Sequence, residues 1–420
     1  MKRNHGTASG TTTGVVNGTA GAADDRRADD AGSWPTAEQE LLLRAALLRG
    51  PEALDAWRAW RSRVDVELID HASGRLLPLV YKNLLTHDVA DPLMRRLKGA
   101  YRLTWTKNQL LFRGMAQVLQ GLHAARVETL VLKGAAFIVQ HYRDFGVRHT
   151  SDFDVLVRTE QTSLAVQLLL QAGLTPKRGS VGELDQAMLS FDHGYPFIDA
   201  VGRNLDLHWH VLPQCTYPGA DDAFWEGSVP MEMQGVATRA LNPADELLHV
   251  CLHGSEWSGI APIHWVADAT TILKDDRAQV DWDRLVDQAR ERLLVVAVRE
   301  ALGYLRQLLD APVPPEVLRA LHAIPVSRAE RVEQRFRLAS RDETGHLPVF
   351  LFRYRRYSRL SGRAAVPGHR LGLLAFLQYV WGIDRPWKVP FCALTKLVRR
   401  CGRAMEAQGR RLVGRSAKKR

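Results

Sequence analysis

Asp152 and Asp154 stand one residue apart in Ser151-Asp152-Phe153-Asp154-Val155, within a run that continues Leu156-Val157. The run is β-strand in character. Side chains on a strand alternate faces, so both carboxylates project to one side while Phe153 and Val155 face the core. Two carboxylates this close repel each other unless a cation neutralises them, and hard oxygen donors suit Mg²⁺ or Mn²⁺. Asp206 lies in Asn204-Leu205-Asp206-Leu207-His208-Trp209, where it faces opposite to its leucine neighbours and supplies a third carboxylate. Three such groups can hold two ions about 3.5–4 Å apart, which clamp the attacking and leaving oxygens of a phosphoryl displacement. Asp206, on the acceptor side, is also suited to take a hydroxyl proton. An Asp-x-Asp alone is a weak signal, because most such pairs are solvated surface acid.

What precedes and follows the pair makes it specific. Upstream, Leu132-Lys133-Gly134-Ala135 forms a strand-to-helix turn whose backbone N–H groups suit a phosphate. Gly134 permits close approach or a positive φ. Lys133 adds a point charge for the β- or γ-phosphate. Arg148 is expected either to reach a triphosphate, to pair with Asp152, or to lie in a surface loop. Ser151 either steadies the strand start or contacts a phosphate. His208 shares the face of Asp206 and is expected to orient that carboxylate or touch substrate. His210 reads as structural and Trp209 as core. Downstream, Glu246, His249 and His253 share one helix face. His249 and His253 have zinc-like spacing but no further ligand, so they read as pocket-wall or packing histidines.

The elements that must position these groups follow from periodicity. Val127 to Leu132 is a strand ending at Gly134, and Ala135 to Tyr142 a helix. Phe153 to Val157 is a strand, Gln161 to Ala172 a helix, and Asn204 to Trp209 a further strand. Strands alternating with helices indicate a small α/β core, over residues 127–212. Residues 36–126 read as helical, with Pro92 to Ala125 as one or two long helices. Residues 243–345 form a C-terminal helical region, including Trp282 to Leu309, and 346–420 a helical and basic tail. Residues 1–35, rich in Gly, Thr, Ala and Asp, cannot bury enough apolar surface to order themselves.

The ordered run Leu132-Lys133-Gly134-Ala135-Ala136, Tyr142, Arg148, Ser151 to Val157, and Leu205-Asp206-Leu207-His208-Trp209 resembles a bacterial family of uncharacterised nucleotidyltransferases. That family belongs to the DNA polymerase β-like superfamily, and the resemblance spans roughly residues 100–310. The Ser-Asp-x-Asp strand is also similar to that of the minimal and the aminoglycoside nucleotidyltransferases. The resemblance implies a mixed sheet with flanking helices, Mg²⁺ dependence, and transfer of a nucleoside monophosphate from an NTP with release of pyrophosphate. By position it implies Asp152 and Asp154 as the metal pair, Asp206 as the third carboxylate and Gly134 as the phosphate-loop glycine. The wider superfamily has Gly-Gly or Gly-Ser at that loop, whereas this chain has Gly134-Ala135. The family also tends to carry histidines on the downstream helix and then a Trp- and Asp-bearing helix, here His264 to Asp268.

Composition narrows the remaining classes. The 420 residues are 46% hydrophobic and 25% charged, as in a soluble globular protein. No stretch approaches the ~18–20 apolar residues of a membrane helix. The four cysteines are scattered and form no CxxC pair, so neither a zinc ribbon nor a disulfide framework is implied, and a reducing cytoplasm is the simplest setting. The net charge of +11 is concentrated after residue 395. That tail reads as a solvated segment, with nucleic acid, anionic lipid or a charged protein as possible partners. The leading expectation is an NTP-using enzyme with a small-molecule, peptide or protein acceptor. The alternatives are a degenerate binding or regulatory protein of the same fold and a nucleic-acid-modifying nucleotidyltransferase.

Overall fold

A computed structural model describes residues 34–178, 185–253, 263–338, 346–362 and 371–396. The expectation of disorder over residues 1–33, and that of a basic tail beyond 396, lie outside the described residues. Trp34 packs at 4.7 Å on Tyr304 and at 5.9 Å, edge-on, against Trp265.

The chain enters through α1 (Ala37–Leu47), which opens with a capping box. Gln39 N–H donates to Thr36 Oγ1, and Thr36 N–H donates back to Gln39 Oε1. Then come α2 (Gly50–Arg63), a single turn α3 (His71–Gly74), α4 (Leu77–Leu85) and one unbroken 31-residue helix, α5 (Met94–Ala124). Leu111, Phe112, Met115, Leu119 and Leu122 recur every three or four residues along α5 and are buried against the sheet.

Seven strands follow: β1 (Thr129–Leu132), β2 (Asp152–Val157), β3 (Thr175–Pro176), β4 (Gly194–Ile198), β5 (Asn204–His208), β6 (Val229–Met233) and β7 (Val236–Ala240). They form one mixed sheet in the order β3-β4-β5-β2-β1-β7-β6, with β2 parallel to β5 and β1 antiparallel to β2. The expected α/β core with flanking helices is therefore present. β6 and β7 lie beyond residue 212 and enlarge the sheet. They are joined by a tight turn in which Gln234 and Gly235 both have positive φ. Between strands lie α6 (Lys133–Phe137), which runs into a π-helical stretch over Ile138–Tyr142, then α7 (Thr162–Gln171), α8 (Gln186–Phe191) and α9 (Asp222–Glu226).

The C-terminal helices are α10 (Pro243–His253), α11 (His264–Lys274), α12 (Trp282–Glu291), α13 (Val295–Leu309), α14 (Pro315–Ala323), α15 (Arg328–Leu338), α16 (His346–Ser361) and α17 (Leu373–Trp381). The helical spacing from Trp282 to Leu309 is split in two at Arg292–Leu294, where Leu293 takes φ 58°. No described helix is long and apolar enough to cross a membrane.

Both sheet faces are covered. Phe153, Val155, Val157, Leu205 and Leu207 pack with α5 in one apolar cluster. Leu130, Leu132 and Leu156 belong to a larger cluster shared with the N- and C-terminal helices. Asp152 and Asp154 alternate with the first set, so they face the side roofed by α10 and α11. That packing turns two surface-like acids into partly and fully buried ones.

Candidate active site

The central fact is a register. β2 and β5 run parallel with Asp154 paired to Asp206, Asp152 to Asn204 and Leu156 to His208. Alternation along both strands then stacks Asp154, Asp206 and His208 on one face, and their ligand atoms all lie within 4.8 Å of one another. Asp154 is 2% exposed. Lys133 Nζ donates to Asp154 Oδ1 at 2.6 Å, and His208 Nε2 lies 2.9 Å from the same oxygen.

These contacts separate the three carboxylates electrostatically. Burial alone would raise Asp154, but the Lys133 ammonium and the His208 hydrogen bond hold it well below the usual carboxylate range. Asp206 is pushed up to about 6, by burial and then by the charges of Asp154 and Asp152. Asp152 is raised for the same reasons, burial first and Asp154 second. His208 falls to about 4, through burial and then the nearby Lys133 charge, and is a neutral imidazole at neutral pH. The cluster thus carries more negative charge than its own cation balances. Lys133 already sits where a cation is favoured, and the donors are hard oxygens with one imidazole. The residues fit a divalent ion.

The carboxylates open into a cleft of about 470 Å³ between the sheet, α3, the C-terminal part of α10 and the N-terminal part of α11, lined also by Lys133, Gly134, Arg148, Ser151, His249 and His253. A volume of this order suits a small-molecule or nucleotide ligand.

Several expectations are met differently from the way the sequence suggests. The positive φ of the phosphate-loop turn belongs to Lys133 (50°), not Gly134. Gly134 is needed for close approach: a Cβ there would come within 2.5 Å of both Arg148 Nη1 and Thr150 Oγ1. The Lys133 ammonium pairs with Asp154 and is not held apart for a phosphate. Ala135 is 1% exposed and packs in the apolar cluster of α5, which explains why a methyl stands where a hydroxyl or second glycine was expected. It does not line the cleft. Arg148 pairs with neither Asp152 nor open solvent. Its Nε and Nη2 donate to Asp268 Oδ1 and Oδ2, both at 2.8 Å. Burial would lower Arg148, but Asp268 overrides it and holds the guanidinium above its ordinary value. Ser151 is exposed, and its carbonyl accepts from Asn204 Nδ2 at 3.1 Å. His208 steadies Asp154 rather than Asp206 and lies behind it, away from the cleft.

His249 is buried and His253 exposed, with ring centroids 6.4 Å apart, and both reach the cleft wall. Glu246 turns instead to His141, 2.5 Å away, which in turn meets Asp275 at 3.1 Å. Among the described residues the only group of metal-ligating type is Asp154, Asp206 and His208, so the histidine pair stands outside it. His210 is structural, 2.5 Å from Asp221, and Trp209 is core, with Nε1–H donating to the Asp192 carbonyl. Sequence reasoning did not single out Arg75 or His71, which line the cleft from a region 58 or more residues before Lys133. No local motif marks them.

Among solved structures, one similar chain is an antigenic nucleotidyltransferase-like protein from Paracoccidioides brasiliensis, at 15% identity and a TM-score of 0.32, over 52% of this chain and 95% of that one. No curated protein matches. Residues 71–310, more than half of the chain and containing every carboxylate of the cluster, match the family described as uncharacterised nucleotidyltransferase. The chain belongs to that nucleotidyltransferase family.

Proposed function

We propose that the protein transfers a nucleoside monophosphate from an NTP to a hydroxyl or phosphate on an acceptor, releasing pyrophosphate, with Mg²⁺ (or Mn²⁺) held by Asp152, Asp154 and Asp206. The observation that carries this reading is the Asp154–Asp206 register pair at the floor of a nucleotide-sized cleft. A divalent ion held there supplies charge neutralisation for the triphosphate and a lower pKa for the acceptor hydroxyl.

The chain's own residues do the remainder. Lys133 and His208 fix one oxygen of Asp154, so its other oxygen presents to the cleft in a set orientation. Asp206, with a pKa near that of a useful general base, is suited to take the hydroxyl proton. Gly134 lets Arg148 and Thr150 close in on the turn, where a side chain would displace them. Ser151 stands exposed at the cleft edge, and His249 and His253 wall the side opposite the sheet.

Purified protein incubated with labelled NTPs and a panel of small-molecule, peptide and protein acceptors should transfer label only with a divalent ion. Asp154→Ala and Asp206→Ala should each abolish it. Label transfer surviving the double substitution Asp152→Ala/Asp154→Ala would refute the mechanism. One observation favours a second reading, a regulatory protein that kept the fold: the Lys133 ammonium sits on Asp154. Calorimetry separates the two, because the regulatory reading predicts no Mg²⁺-dependent NTP binding.

A further inference from the structure

The cleft is lined by polar atoms that have no partner among the described residues. Arg75 Nε, His264 Nε2 and Trp265 Nε1 are all buried, and among the described residues none has a hydrogen-bond partner. All three residues line the same cleft as the carboxylates. Buried N–H groups without acceptors are costly, of the order of 1–3 kcal/mol each, and the two of Arg75 and Trp265 in one cleft call for a ligand acceptor.

Two of the three atoms are donors. Arg75 and Trp265 are obligate donors at these atoms. His264 lies against the backbone carbonyl of Arg75, which favours a proton on the ring nitrogen facing it and leaves Nε2 as an acceptor. Trp265 is 4% exposed and fixed by edge contact with Trp34 and tilted packing on Tyr304, so its N–H is held in place. His264 and Trp265 also form the first turn of α11, an 11-residue helix with no side-chain cap and no acid in that turn. Among the described residues nothing in that turn compensates its positive end.

Arg75 differs from the other guanidinium of the cleft. Arg148 spends its donors on Asp268 and the His149 carbonyl. Among the described residues Arg75 uses only Nη2, on the His149 carbonyl at 3.2 Å, and no carboxylate bridges to it. Burial and then the Arg148 charge lower its pKa, so its cation is short of negative charge even with Asp152 and Asp268 nearby.

We infer that Arg75 and Trp265 form an oxyanion subsite that binds a phosphate group in the cleft that the carboxylates line. That phosphate is either the departing pyrophosphate end of the nucleotide or one carried by the acceptor. The placement within a nucleotide-transfer cleft rests on the function proposed above, but phosphate binding itself does not. Arg75 comes from the N-terminal helices, so those helices contribute directly to substrate recognition.

The test is calorimetric binding of inorganic pyrophosphate, and of ATP and AMP, each with Mg²⁺, to the wild type, Arg75→Gln and Trp265→Phe. Circular dichroism and thermal unfolding check that the variants fold. Arg75→Gln should weaken pyrophosphate at least about tenfold, as expected for a lost charged hydrogen bond, and Trp265→Phe should weaken it by a smaller factor. Pyrophosphate that competes with ATP, together with unchanged AMP binding, assigns the subsite to the nucleotide. Pyrophosphate that binds alongside a non-hydrolysable ATP analogue assigns it to the acceptor. Equal pyrophosphate affinity in the folded Arg75→Gln variant and the wild type overturns the inference, as does a wild type that binds none. Arg75-dependent pyrophosphate binding without any ATP binding would uphold the subsite and refute nucleotide transfer.

Discussion

Replacing Asp206 by Asn should stabilise the protein in the absence of divalent ions while destroying its response to them. The reason is geometric. Asp206 stands beside Asp154 in register, with ligand oxygens no more than 4.8 Å apart. Two unit charges at 4.8 Å repel by about 3.5 kcal/mol at an effective dielectric constant of about 20. Lys133, 2.6 Å from Asp154, cancels part of this, which leaves roughly 1–2 kcal/mol. The titration agrees in sign. A carboxyl raised from 3.8 to about 6 on folding is protonated more readily in the folded chain. Its contribution to stability is therefore neutral below about pH 3.8, declines as pH rises to about 6, and is fully unfavourable above that. At pH 8 without divalent ions, Asp206→Asn should unfold at a higher denaturant midpoint than the wild type by roughly 1–2 kcal/mol, and at pH 4 the two should nearly coincide. Adding Mg²⁺ should raise the stability of the wild type in proportion to occupancy and leave the variant unmoved. The measurement is urea unfolding followed by fluorescence of the chain's tryptophans, in the presence of EDTA or Mg²⁺. An Asp206→Asn protein less stable than wild type at pH 8 in EDTA, or equally stabilised by Mg²⁺, would refute the reasoning.

Asp268→Asn should destabilise the fold by about 3–5 kcal/mol, because it leaves the buried Arg148 guanidinium without its two-bond carboxylate partner, and chemical denaturation reads this directly. Gly134→Ala should cost about 1–3 kcal/mol and weaken NTP binding, since the new methyl meets Arg148 and Thr150 at 2.5 Å, a change that unfolding and calorimetry detect separately. His149 is lowered to about 4, by burial and then by Arg75, Lys107 and Arg148, so the neutral ring contributes stability that is full above pH 6.5 and lost as pH falls toward 4. After allowance for solvent screening that amounts to about 1–2 kcal/mol, and His149→Gln should flatten the acid limb of the stability profile by that much.

The carboxylate half of the candidate site could be read from the sequence because it is local. Period-two alternation places Asp152 with Asp154, and Asp206 with His208, whatever the rest of the chain does. The β1-turn-α6 unit and the strand order of motifs carried the family resemblance for the same reason. The hairpin of β6 and β7 was not read from the sequence, although Met231, Met233, Val236, Thr238 and Ala240 alternate around Gln234-Gly235. Its short strands and Pro230 made the signal weak.

Which strands lie side by side is a long-range matter, and only tertiary structure decided that Asp154 faces Asp206 in register. The same holds for each ion-pair choice. Lys133 turned to Asp154, Arg148 to Asp268 on α11, and Glu246 to His141, because each buried charge must meet an opposite one brought near by packing, and sequence separation says nothing about which. Ala135 faces the α5 cluster because α6 leaves the turn with that side against the sheet. Arg75 enters the cleft because the N-terminal helices share an apolar cluster with β1, β2 and the C-terminal helices. The sequence by itself determined which residues could hold a cation. The folded chain determined that they converge, what neutralises them, and that donors without acceptors stand in the same cleft.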